Sequence, residues 1–187
     1  MTQLLDNIKV AFLVANEGVE QVELTSPRDA LEAAGAITVV VSLESGRVQA
    51  FNHLDPGDVF HVDVVAADAR VVDFDALVLP GGVANPDQLR MDSDAVDFVR
   101  GFFDAGKPVA VICHGPWTLI EADVVQGRRL TSWPSLQTDL RNAGAEWVDE
   151  EVVVDRNGPN VLVSSRKPDD LPAFDRELIQ VLATTSR

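Results

Sequence analysis

Four short, mostly apolar runs constrain the fold of this chain more than any other feature. They are Ile8–Ala15, Ile37–Leu43, Asp75–Leu79 and Val109–Ile112. Runs of this length are typical of strands buried on both faces of a parallel sheet. Segments with helical spacing lie between them. This alternation predicts a single-domain α/β protein, a three-layer α/β/α sandwich with a mostly parallel sheet.

The remaining segments extend the same pattern. Pro27 lies inside the first helical stretch and predicts a late helix start or a kink. No repeat, low-complexity tract or linker interrupts the chain, so residues 1–187 are interpreted as one domain. Further strands are predicted near Val48–Phe51, Val59–Val64, Arg129–Thr131, Glu146–Val154 and Val161–Ser164, and helices near Val22–Ala34, Ser93–Ala105, Pro116–Val125, Ser135–Ala143 and Leu171–Ala183.

Charge and hydropathy exclude several classes of partner. The net charge is −15, which disfavours binding to nucleic acid or to an anionic membrane surface. No apolar run approaches the roughly 18 residues that span a bilayer. The first seven residues lack the basic and apolar regions of a secretory signal, so a cytoplasmic location is expected. The single cysteine, Cys113, excludes a disulfide within one chain.

Cys113 occupies a position that suggests chemistry. A lone cysteine is usually a small buried hydrophobe, but this one lies where an apolar strand stops and a helix begins. Gly115 permits a tight turn there, and Pro116 suits the first helical position. A side chain at such a corner projects beyond the sheet, as in a nucleophile elbow. The helix N-terminus is expected to lower the pKa of the thiol.

A second glycine-rich turn follows the strand that ends at Leu79. Gly81 and Gly82 alone are a weak signal, because glycine pairs commonly mark turns. Parallel strands, however, place ligands beyond their carboxyl ends, where the Cys113 corner also lies. The backbone N–H groups of Gly82 and His114 are therefore predicted to form an oxyanion hole.

Three ionisable residues are candidates for proton transfer. His114 follows the cysteine and is interpreted either as a general base or as a polar residue of the turn. Glu20 and Glu23 share a face if that segment is helical. Either carboxyl could bond the sulfur and move a proton, or both could belong to a solvated helix start.

The motif from Ala110 to Trp117 resembles the signature of the PfpI family of intracellular cysteine proteases. This family belongs to the ThiJ/PfpI superfamily, and the resemblance implies its flavodoxin-like, class I glutamine amidotransferase-like fold. Nearly the whole chain takes part. The other matching segments are Ala15–Glu17 with Glu20, Glu23 and Pro27, then Leu79–Gly82, Leu130–Ser135, Trp147–Asp149 and Ser164–Pro172.

The resemblance carries expectations about assembly and site. It implies a homodimer or higher oligomer whose active site lies near a subunit interface. Asp87 matches the acidic residue that reaches the histidine of the neighbouring subunit, which gives a triad of Cys113, His114 and Asp87 in trans. The family's glutamate near the sulfur corresponds to Glu20 or Glu23. Gly81, Gly115, Pro116 and Trp117 are expected to shape the pocket.

Members of this family are described as proteases, deglycases, chaperones and general stress proteins. The leading hypothesis is a stress-response cysteine hydrolase acting on small carbonyl adducts or peptides. The alternative is a non-catalytic redox sensor or chaperone with an oxidisable Cys113. A sensor needs neither His114 nor Asp87, whereas a base-assisted hydrolase needs both. A glutamine amidotransferase needs a downstream histidine, and none follows His114.

The remaining tryptophans and histidines are expected to have structural roles rather than catalytic or ligand-binding ones. Trp117, Trp133 and Trp147 are expected in the core or an interface, and His53 and His61 at the surface or in the core. The sequence contains no phosphate loop, dinucleotide fingerprint or plausible metal cluster. Neither a cofactor nor a metal is therefore expected.

Overall fold

A seven-stranded sheet forms the centre of the computed structural model, which describes residues 4–185. The first three residues of the stretch considered as a secretory signal lie outside this range. The strands are β1 (Lys9–Leu13), β2 (Glu17–Glu20), β3 (Ile37–Ser42), β4 (Arg47–Asn52), β5 (Asp55–His61), β6 (Val64–Val65), β7 (Ala76–Leu79), β8 (Val109–Ile112), β9 (Arg129–Leu130), β10 (Glu146–Trp147), β11 (Val152–Asp155) and β12 (Leu162–Ser165).

Helices cover both faces of this sheet, whose order is β11-β12-β8-β7-β1-β3-β6. All neighbours in it run parallel except β11 and β12, which are antiparallel. The predicted α/β sandwich with a mostly parallel sheet is confirmed. The helices are α1 (Gln21–Ala33), α2 (Ala84–Leu89), α3 (Ser93–Asp104), α4 (Pro116–Glu121), α5 (Gln137–Asn142) and α6 (Leu171–Thr185).

Alternate residues of the inner strands belong to two different hydrophobic clusters. Along β8, Val109 and Val111 pack in the cluster that contains α3 and α4, while Ala110 and Ile112 pack in the cluster of α1 and α6. Successive side chains of a strand point to opposite faces, so an inner strand must be apolar at every position. This is why the inner strands appeared as continuous apolar runs.

A small sheet stands apart from the central one, and its first strand was not predicted. It has the order β2-β4-β5, with β4 and β5 forming an antiparallel hairpin. Strand β2 is only Glu17-Gly18-Val19-Glu20, a composition that gives no strand signal. It pairs with β4, far along the chain, so only the tertiary fold creates it.

Several predicted element boundaries were wrong. Helix α1 begins at Gln21 and contains Pro27 internally, so no late start occurs. Helix α4 ends at Glu121 rather than near Val125. The predicted strand over 146–154 is two strands in different sheets. Helix α2 was not predicted at all. No helix within residues 4–185 is long and apolar enough to cross a membrane.

Candidate active site

Cys113 lies at a sharp turn between β8 and α4. Its φ is 62°, in the left-handed region that L-residues seldom adopt. The turn is held by backbone bonds, since Cys113 N–H donates to the carbonyl of Ser165 and Trp133 N–H donates to that of Cys113. Strained backbone of this kind costs about 1–3 kcal/mol and clusters at functional sites. The sharp strand-to-helix turn expected at Cys113 is present.

Glycine is required at two neighbouring positions by close packing. A Cβ on Gly115 would lie 2.7 Å from the Leu79 carbonyl oxygen. A Cβ on Gly81 would lie 2.4 Å from Glu23 Oε2 and 2.6 Å from Cys113 Cβ. Real Cβ atoms do not approach other atoms so closely. These glycines therefore allow the two turns to meet beneath the thiol.

Glu23 is the acidic residue against the sulfur, which settles the choice that the sequence left open. It is fully buried in the first turn of α1, and its Oε2 accepts the Gly81 N–H at 2.8 Å. Its Oε1 has no partner of standard hydrogen-bond geometry, and the Cys113 side chain interacts with the carboxyl. Burial raises the pKa of Glu23 to about 8 against the lowering effect of these bonds. At neutral pH this carboxyl is mostly protonated.

The thiol itself does not show the expected lowered pKa. Burial raises the pKa of Cys113, and the negative charge of Glu23 raises it further, while the backbone N–H groups of Gly82 and His114 lower it. Helix α4 has only six residues. The lowering effect of its N-terminus on the pKa of the thiol is smaller than the raising effect of burial. The contribution of the Glu23 charge disappears when that carboxyl is protonated. Gly82 and His114, the predicted oxyanion-hole residues, both direct N–H groups at the sulfur.

His114 lies beside the thiol in the same chain. Its Nδ1 is 3.2 Å from Cys113 Sγ, and its Nε2 is 3.4 Å from Ser135 Oγ. The ring stacks on Trp133 with centroids 5.9 Å apart and meets Trp117 edge-on at 5.2 Å. Burial lowers the pKa of His114, so the imidazole is neutral at neutral pH and able to accept a proton.

Asp87 lies at the pocket but is bound to a different partner. Arg90 Nη2 is 2.8 Å from Asp87 Oδ1, and the Arg90 guanidinium lies 4.8 Å from the Trp117 ring centroid. No hydrogen bond joins Asp87 to the histidine of its own chain among residues 4–185. Within one subunit, His114 Nε2 instead contacts the hydroxyl of the exposed Ser135.

Glu20 is placed at the pocket wall rather than on a shared helix face with Glu23. It is the last residue of β2, and its carboxyl accepts the backbone N–H of His53, with Oε2 at 3.1 Å. Its negative charge is close enough to contribute to the raised pKa of Glu23. Glu20 is thus a neighbour of the proton-carrying group and does not itself bond the sulfur in this structure.

A cavity of about 750 Å³ opens above the thiol. Its walls include residues that were not predicted to shape a site, contributed by the β4–β5 hairpin and by the segments beyond β9 and β12. Non-local folding brings these together, and no local pattern reveals them. The lining residues are Glu17, Gly18, Glu20, Glu23, Phe51, His53, Leu54, Gly82, Val83, Ala84, Asp87, Cys113, His114, Trp133 and Pro168.

Four residues predicted to shape the pocket lie outside its walls. Gly81, Gly115 and Pro116 are buried beneath it, where they fix the two turns, and Trp117 packs behind His114. Trp133, which was expected in the core or an interface, lines the cavity and is 39% exposed in the single chain. Within residues 4–185, no group of three or more His, Cys, Asp or Glu side chains is arranged to hold a metal.

Comparison with known proteins identifies the family. The model of the DJ-1/PfpI family matches residues 8–181. The chain belongs to the DJ-1/PfpI family.

Named relatives share this domain over almost their whole length. The protein/nucleic acid deglycase 2 of Escherichia coli is 43% identical over 174 residues, which cover 93% of this chain and 97% of the relative. A deglycase of Pyrococcus horikoshii is 46% identical over 175 residues, covering 94% and 99%. A candidate cysteine protease of Bacillus subtilis is 42% identical over 174 residues, covering 93% and 98%.

Solved structures show the same fold. DJ-1β of Drosophila melanogaster superposes with a TM-score of 0.81 at 28% identity, covering 94% of this chain and 90% of that one. A two-domain protein of Anabaena variabilis, containing DJ-1/ThiJ/PfpI-like and ferritin-like domains, gives a TM-score of 0.83 at 35% identity. The match covers 92% of this chain and 49% of that protein.

Proposed function

We propose that this protein is a cysteine-dependent hydrolase that removes carbonyl adducts from amines, a deglycase, with Cys113 as the nucleophile. The observation that carries the proposal is the pairing of Cys113 with a buried, protonated Glu23 beneath two N–H donors. Relatives at 43% and 46% identity bear the name deglycase and support this assignment.

The reaction is written for an aminocarbinol adduct of methylglyoxal. The Cys113 sulfur forms a bond to the carbon that carries the amine, the C–N bond breaks, and its electron pair leaves on nitrogen. Glu23 supplies the proton that this nitrogen takes, and the Cys113 thiol passes its own proton to the Glu23 carboxyl as the S–C bond forms, so Glu23 ends the step protonated again. The enzyme-bound hemithioacetal then isomerises, a proton moving from that carbon to its neighbour through His114.

Isomerisation leaves a thioester, which water hydrolyses to lactate and free thiol. The sum is adduct plus water giving amine plus lactate, with no external oxidant. Attack of water on the thioester carbon places negative charge on its oxygen. The N–H groups of Gly82 and His114 stabilise that charge, as in other oxyanion holes.

Peptide hydrolysis is the related activity of the same site. A cysteine thiol, a neutral imidazole that can take its proton and two N–H donors suffice for acyl transfer. The similarity to the candidate protease of Bacillus subtilis supports it. Cys113 is only 7% exposed, and this favours a slender adduct over a polypeptide, whose backbone is bulky on both sides of the scissile bond.

A redox role is the second candidate, and one observation favours it. Glu23 Oε1 is buried, has no hydrogen-bond partner of standard geometry and belongs to the carboxyl beside the sulfur. If Cys113 is oxidised to a sulfinate, the proton of this carboxyl can donate a hydrogen bond to a sulfinate oxygen. The 3.2 Å contact between His114 Nδ1 and the sulfur favours the hydrolase instead, because an oxidation sensor needs no base. A stress-response role and a cytoplasmic location are part of our proposal under either function.

Assembly into a homodimer or higher oligomer is also proposed, with the cavity near the interface. Large apolar side chains at its rim are exposed in the single chain, Leu54 at 92% and Val83 at 57%. A partner subunit would cover them and bring its own acidic residue toward His114.

The deciding experiment measures amine release from methylglyoxal adducts by the wild type and by Cys113→Ala, His114→Ala and Glu23→Gln. We expect release by the wild type and almost none by Cys113→Ala, with both proteins folded and equally assembled. Equal release by the wild type and Cys113→Ala would reject the deglycase and leave the redox role. A peptide substrate measured in parallel ranks the two hydrolytic activities.

A further inference from the structure

We infer that Asn85 is a positioning residue, whose side-chain amide fixes the direction of the Gly81 and Gly82 backbone N–H groups. The first of these N–H groups reaches the Glu23 carboxyl and the second reaches the Cys113 sulfur. Asn85 lies in the first turn of α2, is fully buried and does not line the cavity. The inference rests on the proposed function, since it adds a residue to the same site.

The side-chain amide of Asn85 bonds three backbone groups. Its Oδ1 accepts the Ala15 N–H at 2.7 Å, and its Nδ2 donates to the carbonyls of Pro80 and Gly81, each at 3.0 Å. The reversed amide would set an oxygen against two carbonyls and an NH2 group against an N–H. The partners therefore determine its orientation, and they require a side chain that both donates and accepts.

The two carbonyls that Asn85 bonds belong to the same peptide groups as the two N–H groups of the site. The Pro80 carbonyl shares a peptide group with the Gly81 N–H, and the Gly81 carbonyl shares one with the Gly82 N–H. A planar trans peptide directs its C=O and its N–H in opposite directions. By holding both carbonyls on one side, Asn85 aims both N–H groups at the carboxyl and the sulfur on the other side.

The turn needs this restraint because it has no side chains of its own. The peptide group between Gly81 and Gly82 has glycine on both sides, and the φ of Gly82 is 80°. Without a Cβ on either side, little restricts rotation of that peptide group. A second bond to the Gly81 carbonyl, from the Glu20 N–H, is long at 3.4 Å. A flipped peptide would turn a carbonyl oxygen toward the sulfur in place of an N–H donor.

The bonds of Asn85 also affect the strength of the donor at the sulfur. The Asn85 amide, the Gly81–Gly82 peptide and the Cys113 sulfur form one chain of hydrogen bonds. Hydrogen bonds in such a chain polarise one another inside a protein. The Gly82 N–H is therefore a better donor, to the sulfur or to an oxyanion, when its peptide carbonyl is bonded.

A second buried asparagine provides a matched control. Asn160 is also buried, and its amide accepts from Arg128 Nη1 and donates to the Lys107 carbonyl. It precedes the amino end of β12, whereas Cys113 follows the carboxyl end of the neighbouring parallel strand β8. Asn160 thus bridges backbone segments at the opposite edge of the sheet from the thiol.

Kinetics of amine release from methylglyoxal adducts compares Asn85→Ala with Asn160→Ala. We expect kcat of Asn85→Ala to fall by about 10²-fold, as when one oxyanion donor is lost. Its KM should change little, because Asn85 does not line the cavity. Asn160→Ala should lose stability to urea and keep the wild-type kcat. Equal kcat values in the two variants would overturn the inference.

Alkylation by iodoacetamide tests the inference without turnover, since Cys113 is the only cysteine. Burial raises the pKa of this thiol, and the Gly82 N–H works against that effect. Misdirecting the N–H leaves less thiolate, so we expect Asn85→Ala to be alkylated severalfold more slowly than wild type at about pH 8. A site that had merely loosened would expose the thiol and react faster. Unchanged or faster alkylation would overturn the inference.

A second variant covers the case in which Asn85→Ala unfolds because of the space it leaves. Asn85→Leu has a similar branched shape, adds no charge and removes every polar atom of the amide. We expect it to lower kcat and slow alkylation as Asn85→Ala does. If neither variant folds, Asn85 serves the fold alone and the inference is overturned.

The two measurements separate this inference from the proposed function. Slower alkylation of Asn85→Ala, together with no amine release by the wild type, would reject the proposed function and keep the positioning role. Amine release by the wild type, with kcat and alkylation rate retained in Asn85→Ala, would reject the positioning role and keep the proposed function.

Discussion

The carboxyl group of Glu23 interacts with the Cys113 side chain on the floor of the cavity, and the Gly81 N–H holds the same carboxyl at 2.8 Å. One residue comes from the first turn of α1 and the other from the turn after β8. The sheet order places β1 next to β7 and β7 next to β8. The loops that follow these three strands therefore meet at one edge.

Replacing Glu23 by glutamine tests the proton supply. Glu23→Gln keeps the shape and can still accept the Gly81 N–H, but it carries no transferable proton. We expect kcat to fall by about 10²-fold or more, the usual contribution of general acid–base catalysis, while KM changes little. Steady-state kinetics checks this, with Glu121→Gln as a matched surface control. Retained kcat would remove Glu23 from the proposed mechanism.

The same carboxyl should make stability depend on pH. Its pKa is about 8 when folded and 4.5 in the reference state, so between these values the folded state holds a proton that the unfolded state has lost. Stability then falls as pH rises from 4.5 to 8, by up to roughly 5 kcal/mol for the full shift. Glu23→Gln removes this contribution. Urea unfolding of both proteins at pH 5 and pH 8 measures it.

The difference between the two proteins isolates Glu23 from all other titrating groups. If wild type and Glu23→Gln lose equal stability between these pH values, the carboxyl is not titrating in this window. That result would contradict a protonated Glu23 at neutral pH.

Gly81 should tolerate no side chain. The Cβ of Gly81→Ala would lie 2.4 Å from Glu23 Oε2, so the carboxyl or the thiol must move, and a shift near 1 Å costs about 10²-fold in rate. We expect a comparable loss of kcat/KM. Gly127→Ala is the control, since its Cβ meets nothing within 4 Å but its φ is +71°. It should cost about 1 kcal/mol of stability and no activity.

Mixing two inactive variants tests whether Asp87 acts across an interface. If the site is shared, a hybrid of Cys113→Ala and Asp87→Ala contains one complete site. Random reassortment of a symmetric dimer then restores about a quarter of the wild-type activity. Light scattering establishes the assembly state first. Recovery of no activity after verified exchange would place the function of Asp87 within its own subunit, where Arg90 already binds it.

The sequence by itself determined the inner strands of the central sheet and the position of the proposed nucleophile. Val109–Ile112 was predicted as a strand and is β8, and the adjoining Gly115 and Pro116 predicted the sharp turn at Cys113. Both signals are local, because strand burial and turn geometry depend on residues near one another in the chain. The placement of the Gly82 and His114 N–H groups beside the sulfur followed from the rule that parallel strands end at one edge.

Only the tertiary structure decided which glutamate meets the thiol, how the pKa of the thiol shifts and what forms the cavity walls. Glu20 and Glu23 share their residue type and differ in surroundings, since Glu20 ends an edge strand and Glu23 is buried under Gly81. Likewise, the hairpin residue Leu54 reaches the cavity only because β2 pairs with β4. Burial and long-range pairing are properties of the packed chain, and no local pattern of residues records them.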